Sequence, residues 1–174
     1  MTPIKTLVLN SKPMLEKDSL VELFTETHGR IRAFAKYSQS KKPRFGGQLN
    51  TLNLCDVLFR QHGERFYIGQ VSVIKTYNQI KKSYDKIQIA YDFLHVIRAM
   101  TQMNFENNEL FFALLEQLDA LNDADRKSLT NIKLLFFKKT LEIEGVLMEH
   151  AKLNENDLIK MIESYTNMKL RNDL

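Results

Sequence analysis

At 174 residues, with 44% hydrophobic and 26% charged side chains, the chain has apolar content for a core throughout and no low-complexity tract, which excludes an unfolded polypeptide. Its single cysteine, Cys55, excludes an intramolecular disulfide and a cysteine-based zinc cluster, and the absence of a leader-like start or of roughly 18 consecutive apolar residues predicts a soluble, cytoplasmic protein with no membrane partner. The net charge of +4 is unevenly spread: residues 1–82 hold 14 Lys/Arg against 6 Asp/Glu and residues 83–174 hold 11 against 15, so a basic half suited to phosphate backbones or acidic tails precedes a mildly acidic one.

In chain order, residues 6–9 read as a short strand ended by a turn at Asn10, Ser11 and Pro13. Residues 19–25 read as a second strand, and His28-Gly29 turns the chain into a third. That third strand opens the basic stretch 29–47, which carries Arg30, Arg32, Lys36, Lys41, Lys42 and Arg44 and no acidic residue. Its first half alternates, with Ile31, Ala33 and Ala35 on one face and Arg30, Arg32, Phe34 and Lys36 on the other. Its second half, with Ser38, Ser40, Pro43, Gly46 and Gly47, predicts a mobile loop whose charges sit in water. Phe45 reads equally well as part of the interface or as a core plug closing that loop.

Residues 49–59 and 65–76 predict two long strands around a turn at 61–64. Each changes phase: Leu52 and Leu54 give way to Val57 and Phe59, and Phe66 and Ile68 to Val71 and Val73 across Gly69. A one-residue slip of this kind marks a β-bulge, and bulges bend strands. Five short bent strands in about eighty residues favour a small closed barrel of the five-stranded OB type.

Beyond Tyr77 the apolar period becomes helical. A helix starting near Ser83 and running over 84–103 buries Ile87, Ala90, Tyr91, Leu94, Ile97 and Met100. A second, capped by Asn107 or Asn108, buries Phe111, Leu114, Leu118 and Leu121. Asp123 or Asp125 starts a third with Leu129, Ile132, Phe136, Phe137, Leu141, Ile143 and Leu147 inward and Gly145 near its end. Asn154 or Asn156 caps a fourth with Leu158, Met161, Ile162 and Tyr165 inward and Lys169 and Arg171 near its C-terminus. The fold class is therefore α+β, an OB-fold barrel over residues 1–80 followed by an α-helical domain over 81–174. Met100, Met103, Met148, Met161 and Met168 fit that helical core better than a partner groove.

The chemistry expected is binding, not catalysis. Six cations in fifteen residues, interleaved with Phe34, Tyr37 and Phe45, exceed what protection of a sheet edge needs and suit a single-stranded nucleic acid whose bases stack. Arg60, Arg65, Lys75, Lys81 and Lys82 extend the field but read as solvated rims. His28, His62, His95 and His150 lack paired ligand spacing, and the carboxylates of 119–125 lack the register of a calcium loop, so no metal or cofactor is expected. No phosphate loop, nucleophile elbow, dinucleotide fingerprint or cysteine–histidine pair is present.

The pattern SLVELFTETHGRIRAFAKYSQS followed by KPRFGGQLNTLNLCDVLF resembles the N-terminal domain of the RecO family, and FFALLEQLDAL and IKLLFFKKTLEIEGVL resemble its helical part. The resemblance spans about residues 4–147. It implies a recombination mediator that binds single- and double-stranded DNA, anneals complementary strands, and works with RecR and the single-stranded DNA-binding protein, through the latter's C-terminal tail, to load RecA. By motif position it implies DNA contacts at Arg30, Arg32, Lys36, Lys41, Lys42 and Arg44. The chain departs from the family in lacking the cysteine-rich zinc insertion and in ending about one helix after Leu147. A basic barrel acting as an adaptor for an acidic protein tail, or one binding single-stranded RNA, fits the residues as an alternative.

Overall fold

The computed structural model describes residues 2–14, 17–148 and 153–167. Five strands, β1 (Ile4–Pro13), β2 (Ser19–Thr25), β3 (Gly29–Ala35), β4 (Leu54–His62) and β5 (Arg65–Lys75), close into a barrel in the order β1-β2-β3-β5-β4. All neighbours run antiparallel except β3 and β5, which pair in parallel through Ala33 with Phe66 and Phe34 with Tyr67. This is the OB-fold, with the strand closure that leaves no free edge.

Alternation decides which side chains fill the barrel. Val21, Leu23, Ile31, Ala33, Ala35, Cys55, Val57, Phe59 and Ile68 form one buried cluster, and Phe45 and Leu49 reach into it from the β3–β4 loop. Phe45 is thus the core plug, only 5% exposed, and the small alanines of β3 leave it room. The phase change at Gly69 is a bulge: Leu58 pairs with Gln70 and Phe59 with Ile68, so Gly69 faces no partner. A Cβ there would lie 3.0 Å from the Leu58 carbonyl oxygen.

Three strand expectations shift. β1 runs on through Asn10 and Ser11 to Pro13, because a register shift after Val8 lets its polar end keep pairing with β2 up to Pro13 and Ser19. A terminal proline costs such a ladder little. Residues 49–53 are not strand: Leu49 and Leu52 are buried from turns, so their apolar spacing reports burial and not extension. Leu52 and Asn53 are tied to β1 by Leu52 N–H to Val8 O and Val8 N–H to Asn53 O, both 2.9 Å. The hairpin turn tightens to Gly63-Glu64, since His62 pairs with Arg65; Gly63 takes φ +58°, as a tight hairpin turn requires.

The chain divides into two compact units, Met1–Thr76 with Gln102–Asn108, and Tyr77–Thr101 with Glu109–Leu174. Within the first, Gln102–Asn108 lies along the start of β3: Asn104 N–H donates to Arg30 O at 2.8 Å and Asn108 Nδ2 donates to Glu26 O at 3.3 Å.

The second unit holds α1 (Asn78–Lys82), α2 (Tyr84–Met100), α3 (Asn108–Asp123, whose first residue belongs with the barrel unit), α4 (Leu129–Ile143) and α5 (Glu155–Thr166). Ser83 caps α2 through its side chain and Asn154 caps α5. Asp125 accepts from the backbone N–H and hydroxyl of Ser128 in a 3-10 turn leading into α4; those bonds to Ser128 hold its carboxyl below the ordinary aspartate value. The core centres on Phe93, whose ring lies 4.2 Å from Phe136 and 6.5 Å from Phe137. The short α1 is an element that periodicity alone misses at five residues. Tyr91 and Tyr165 do not point inward; they are 42% and 56% exposed, because each lies at the margin of a stripe that Phe93 and Leu94, or Leu158 and Ile162, already fill. α4 stops at Ile143, where Gly145 at φ +70° turns the chain and Val146 and Leu147 N–H both reach back to Leu141 O. His150, Met168, Lys169 and Arg171 lie outside the described residues.

Among the described residues of this unit, Lys133 Nζ lies 2.9 Å from Asp92 Oδ2, with the lysine side chain 7% and the aspartate 22% exposed. Removing the acid takes its 2.9 Å carboxylate partner from a buried ammonium, whereas replacing the lysine by an apolar chain of similar length leaves no buried charge. Asp92→Ala is expected to cost about 2 kcal/mol, discounted for the partial exposure of the acid, and Lys133→Met clearly less. Urea unfolding of the two variants checks the order; a costlier Lys133→Met would reverse it.

Candidate nucleic-acid interface

The outward face of β3 carries Arg30, Arg32 and Phe34 as alternation predicts, while Lys36 lies in the turn just past the strand's end at Ala35, and the four are not equivalent. Arg30 Nη1 lies 2.9 Å from Glu22 Oε1, both side chains about 15% exposed. Glu22 comes from β2, where it pairs with Arg32 in register and reaches Arg30 diagonally. The basic stretch itself has no acid; its neighbouring strand supplies one. Arg32 and Lys36 are exposed. Phe34 is half-buried and stacks on Tyr67 of β5, centroids 5.4 Å apart, while Lys36 Nζ sits 5.6 Å from the same Tyr67 ring. One face of Phe34 is therefore occupied by protein.

Beyond β3 the loop is held at several points. Tyr37, with φ +58° and 61% exposed, turns away from the strand ladder, its N–H donating to Asp18 Oδ1 at 2.8 Å. Ser38 and Gln39 bond to the Ser19 hydroxyl, and Asn53 Nδ2 donates to Gly47 O and Gln48 O. Arg44 Nη2 donates to Gly69 O at 2.8 Å, with its guanidinium 5.2 Å from the Phe45 ring. The loop thus has a fixed base at Arg44 and Phe45 and an exposed tip at Lys41 and Lys42.

Lys36 and Arg44 meet in a groove of about 340 Å³ that they share with Arg60, His62, Tyr67, Ile68 and Gly69. Arg60, His62 and Tyr67 were not expected here. The link is register: Arg60 pairs with Tyr67 across the β4–β5 hairpin, and Tyr67 pairs with Phe34 across the parallel seam. The result is a groove in which three cationic groups surround the Tyr67 ring, itself stacked on Phe34, a charge and shape suited to phosphates with flat apolar area beside them. Arg32, Lys41 and Lys42 are exposed but do not line it.

At the other end of β3 the surface changes sign. A groove of about 580 Å³ is lined by Thr27, His28, Gln61, Glu64, Phe66, Asn104 and Glu106, with no lysine or arginine. His28 packs edge-on against Phe66 at 5.7 Å, and its Nδ1 lies 2.8 Å from the Thr27 hydroxyl. Among the described residues no three His, Cys, Asp or Glu side chains could hold a metal ion, and no helix is long and apolar enough to cross a membrane.

Fold and surface together define an OB-fold barrel with a basic, aromatic outer face, followed by helices. Residues 1–77 match the family described as Recombination protein O N terminal. The chain is 24% identical over 143 residues to a DNA repair protein RecO of Caldanaerobacter subterraneus subsp. tengcongensis, covering 82% of this chain and 56% of the relative. It is 27% identical over 146 residues to that of Syntrophobacter fumaroxidans, covering 84% and 58%, and 28% identical over 118 residues to one from Anaeromyxobacter, covering 67% and 46%. The barrel region thus matches the N-terminal domain of that family, and the chain is similar to these RecO proteins over most of its length. It spans about half the length of the curated relatives it matches.

Proposed function

We propose that this protein serves DNA repair and recombination by binding DNA, without catalysis, through the basic face of its barrel. The observation that carries the reading is the convergence of Lys36, Arg44 and Arg60 on one groove around Tyr67, which stacks on Phe34. The relatives' name, DNA repair protein RecO, supports it. Cations spaced along a shallow groove take up the phosphate charge of a single strand, and a second strand then approaches with less repulsion while base edges stay free to pair. Strand annealing follows from that chemistry. In this reading duplex DNA is held by the same phosphate contacts, the cations of the face are Arg32, Lys36, Lys41, Lys42, Arg44 and Arg60, and Arg30 contributes less because Glu22 holds it. Phe34 and Tyr37 act as apolar flanks. RecR and the single-stranded DNA-binding protein's C-terminal tail are the expected partners, with loading of RecA the outcome and the cytoplasmic nucleoid the place.

Fluorescence anisotropy with a labelled single strand at several salt concentrations tests this. With four to six phosphates neutralised, log K is expected to fall against log salt with a slope of roughly −3 to −4, a loss on the order of 10² between 50 and 200 mM. The same samples should speed annealing of complementary strands. An affinity indifferent to salt refutes the reading.

A further inference from the structure

The outer face of the β4–β5 ribbon carries two unlike patches in succession. Along β4, Asp56, Leu58 and Arg60 share one parity and point outward. Along an unbulged β5, Tyr67 and Gln70 would face opposite ways. The extra residue at Gly69 brings Gln70 and Ser72 onto the face of Tyr67, so the cross-strand pairs on that face are Arg60 with Tyr67, Leu58 with Gln70, and Asp56 with Ser72. The first pair belongs to the cationic groove. The other two line a second groove of about 400 Å³, together with Gln48 and Phe45. Arg44 and Gly69 border both grooves, and the hydrogen bond between them is the partition.

The second groove has a different chemistry. Leu58 supplies outward apolar area, with the core-packed Val71 and Phe45 beneath it, and Asp56, Gln48, Gln70 and Ser72 supply hydrogen-bonding groups around it. A carboxylate beside a cationic track repels phosphate, so it does not extend that track. An ionised carboxylate only accepts, and its two oxygens match two parallel donors. Guanine presents such a pair at N1–H and the N2 amino group. Thymine offers a single N3–H flanked by two carbonyl oxygens, which a carboxylate repels.

We propose that this second groove is a nucleobase subsite that selects guanine over thymine through Asp56, for a strand whose phosphates lie on Lys36, Arg44 and Arg60. The proposal rests on the cationic groove holding a DNA strand. Arg44 then stands at the junction of backbone and base, placed there by its bond to the bulge.

The test is anisotropy with two labelled strands of about twelve nucleotides, oligothymidine and alternating thymidine–deoxyguanosine, in roughly 50 mM lithium chloride to suppress guanine quartets. The native protein is expected to bind the alternating strand about fivefold more tightly, the low end of what a bidentate base contact gives. In Asp56→Asn the preference should disappear, while affinity for oligothymidine stays equal or rises because a negative charge has gone. Equal affinities in the native protein, or a guanine preference that survives Asp56→Asn, overturns the subsite alone. Failure to bind either strand overturns the cationic groove and the subsite with it.

Discussion

Gly29→Ala is expected to destabilise the barrel unit by at least about 3 kcal/mol. Gly29 opens β3 with φ +60°, a region where an alanine costs about 1 kcal/mol before any contact is considered. A Cβ built there lies 1.8 Å from the carbonyl oxygen of Phe105 and 2.6 Å from its carbonyl carbon. Both atoms are backbone, so no side-chain rotation relieves the overlap. The segment Gln102–Asn108 has to move, which breaks the Asn104 N–H to Arg30 O bond and the bridge between Arg30 and Met103. Gly46 separates the two contributions, because it has φ +49° but open space around its Cβ position; Gly46→Ala should cost only about 1 kcal/mol. Equal denaturation midpoints for the two variants would show that the approach of Phe105 does not constrain the position.

Reversing two charges of the groove, Lys36→Glu with Arg60→Glu, is expected to weaken single-strand binding by on the order of 10²-fold at 50 mM salt. Each phosphate neutralised contributes about 0.7 to the salt slope, close to tenfold at that concentration, and two are lost. The slope itself should become shallower by about 1.4, which a folding defect would not produce in the fraction that still binds. Both residues are exposed, so circular dichroism and the denaturation midpoint should stay near those of the native protein. Arg30→Ala with Arg32→Ala makes a useful contrast: since Glu22 already holds Arg30, the expected loss is that of one cation. Native-like affinity in the Lys36/Arg60 variant would move the interface elsewhere on the barrel.

What could be read from the residues alone follows the range of the physics. The bulge at Gly69 shows in sequence because parity is local: Phe66 and Ile68 stop agreeing with Val71 and Val73 within five residues. Caps at Ser83, Asp125 and Asn154 show for the same reason, as a polar side chain and the N–H that it accepts from lie three residues apart. The site is less visible because it is made by pairing. That Arg60 faces Tyr67 follows from the hairpin once its turn is known to be Gly63-Glu64, but that Tyr67 faces Phe34 depends on the parallel seam closing the barrel. A charge count along 29–47 does not reveal Glu22 as the partner of Arg30, because it stops at the turn while the ladder continues into β2. Phe45, readable as surface or core, is buried in one cluster with Ala33 and Ala35 of β3, a contact between loop and strand that its local sequence does not encode.

In the proposed DNA-binding reading, the change of sign along β3 limits how many nucleotides one barrel would cover. A strand held on Lys36, Arg44 and Arg60, as proposed above, would next meet Glu64 and Glu106 at the His28 end, where no cation lines the groove. Its footprint should fall toward the short end of the range of about 4–16 nucleotides seen for one OB barrel. Short footprints pack more copies on a given length of DNA and leave smaller gaps at either end of an occupied tract, so saturation stoichiometry, measured by titrating strands of increasing length, reports directly on where Glu64 and Glu106 end the track.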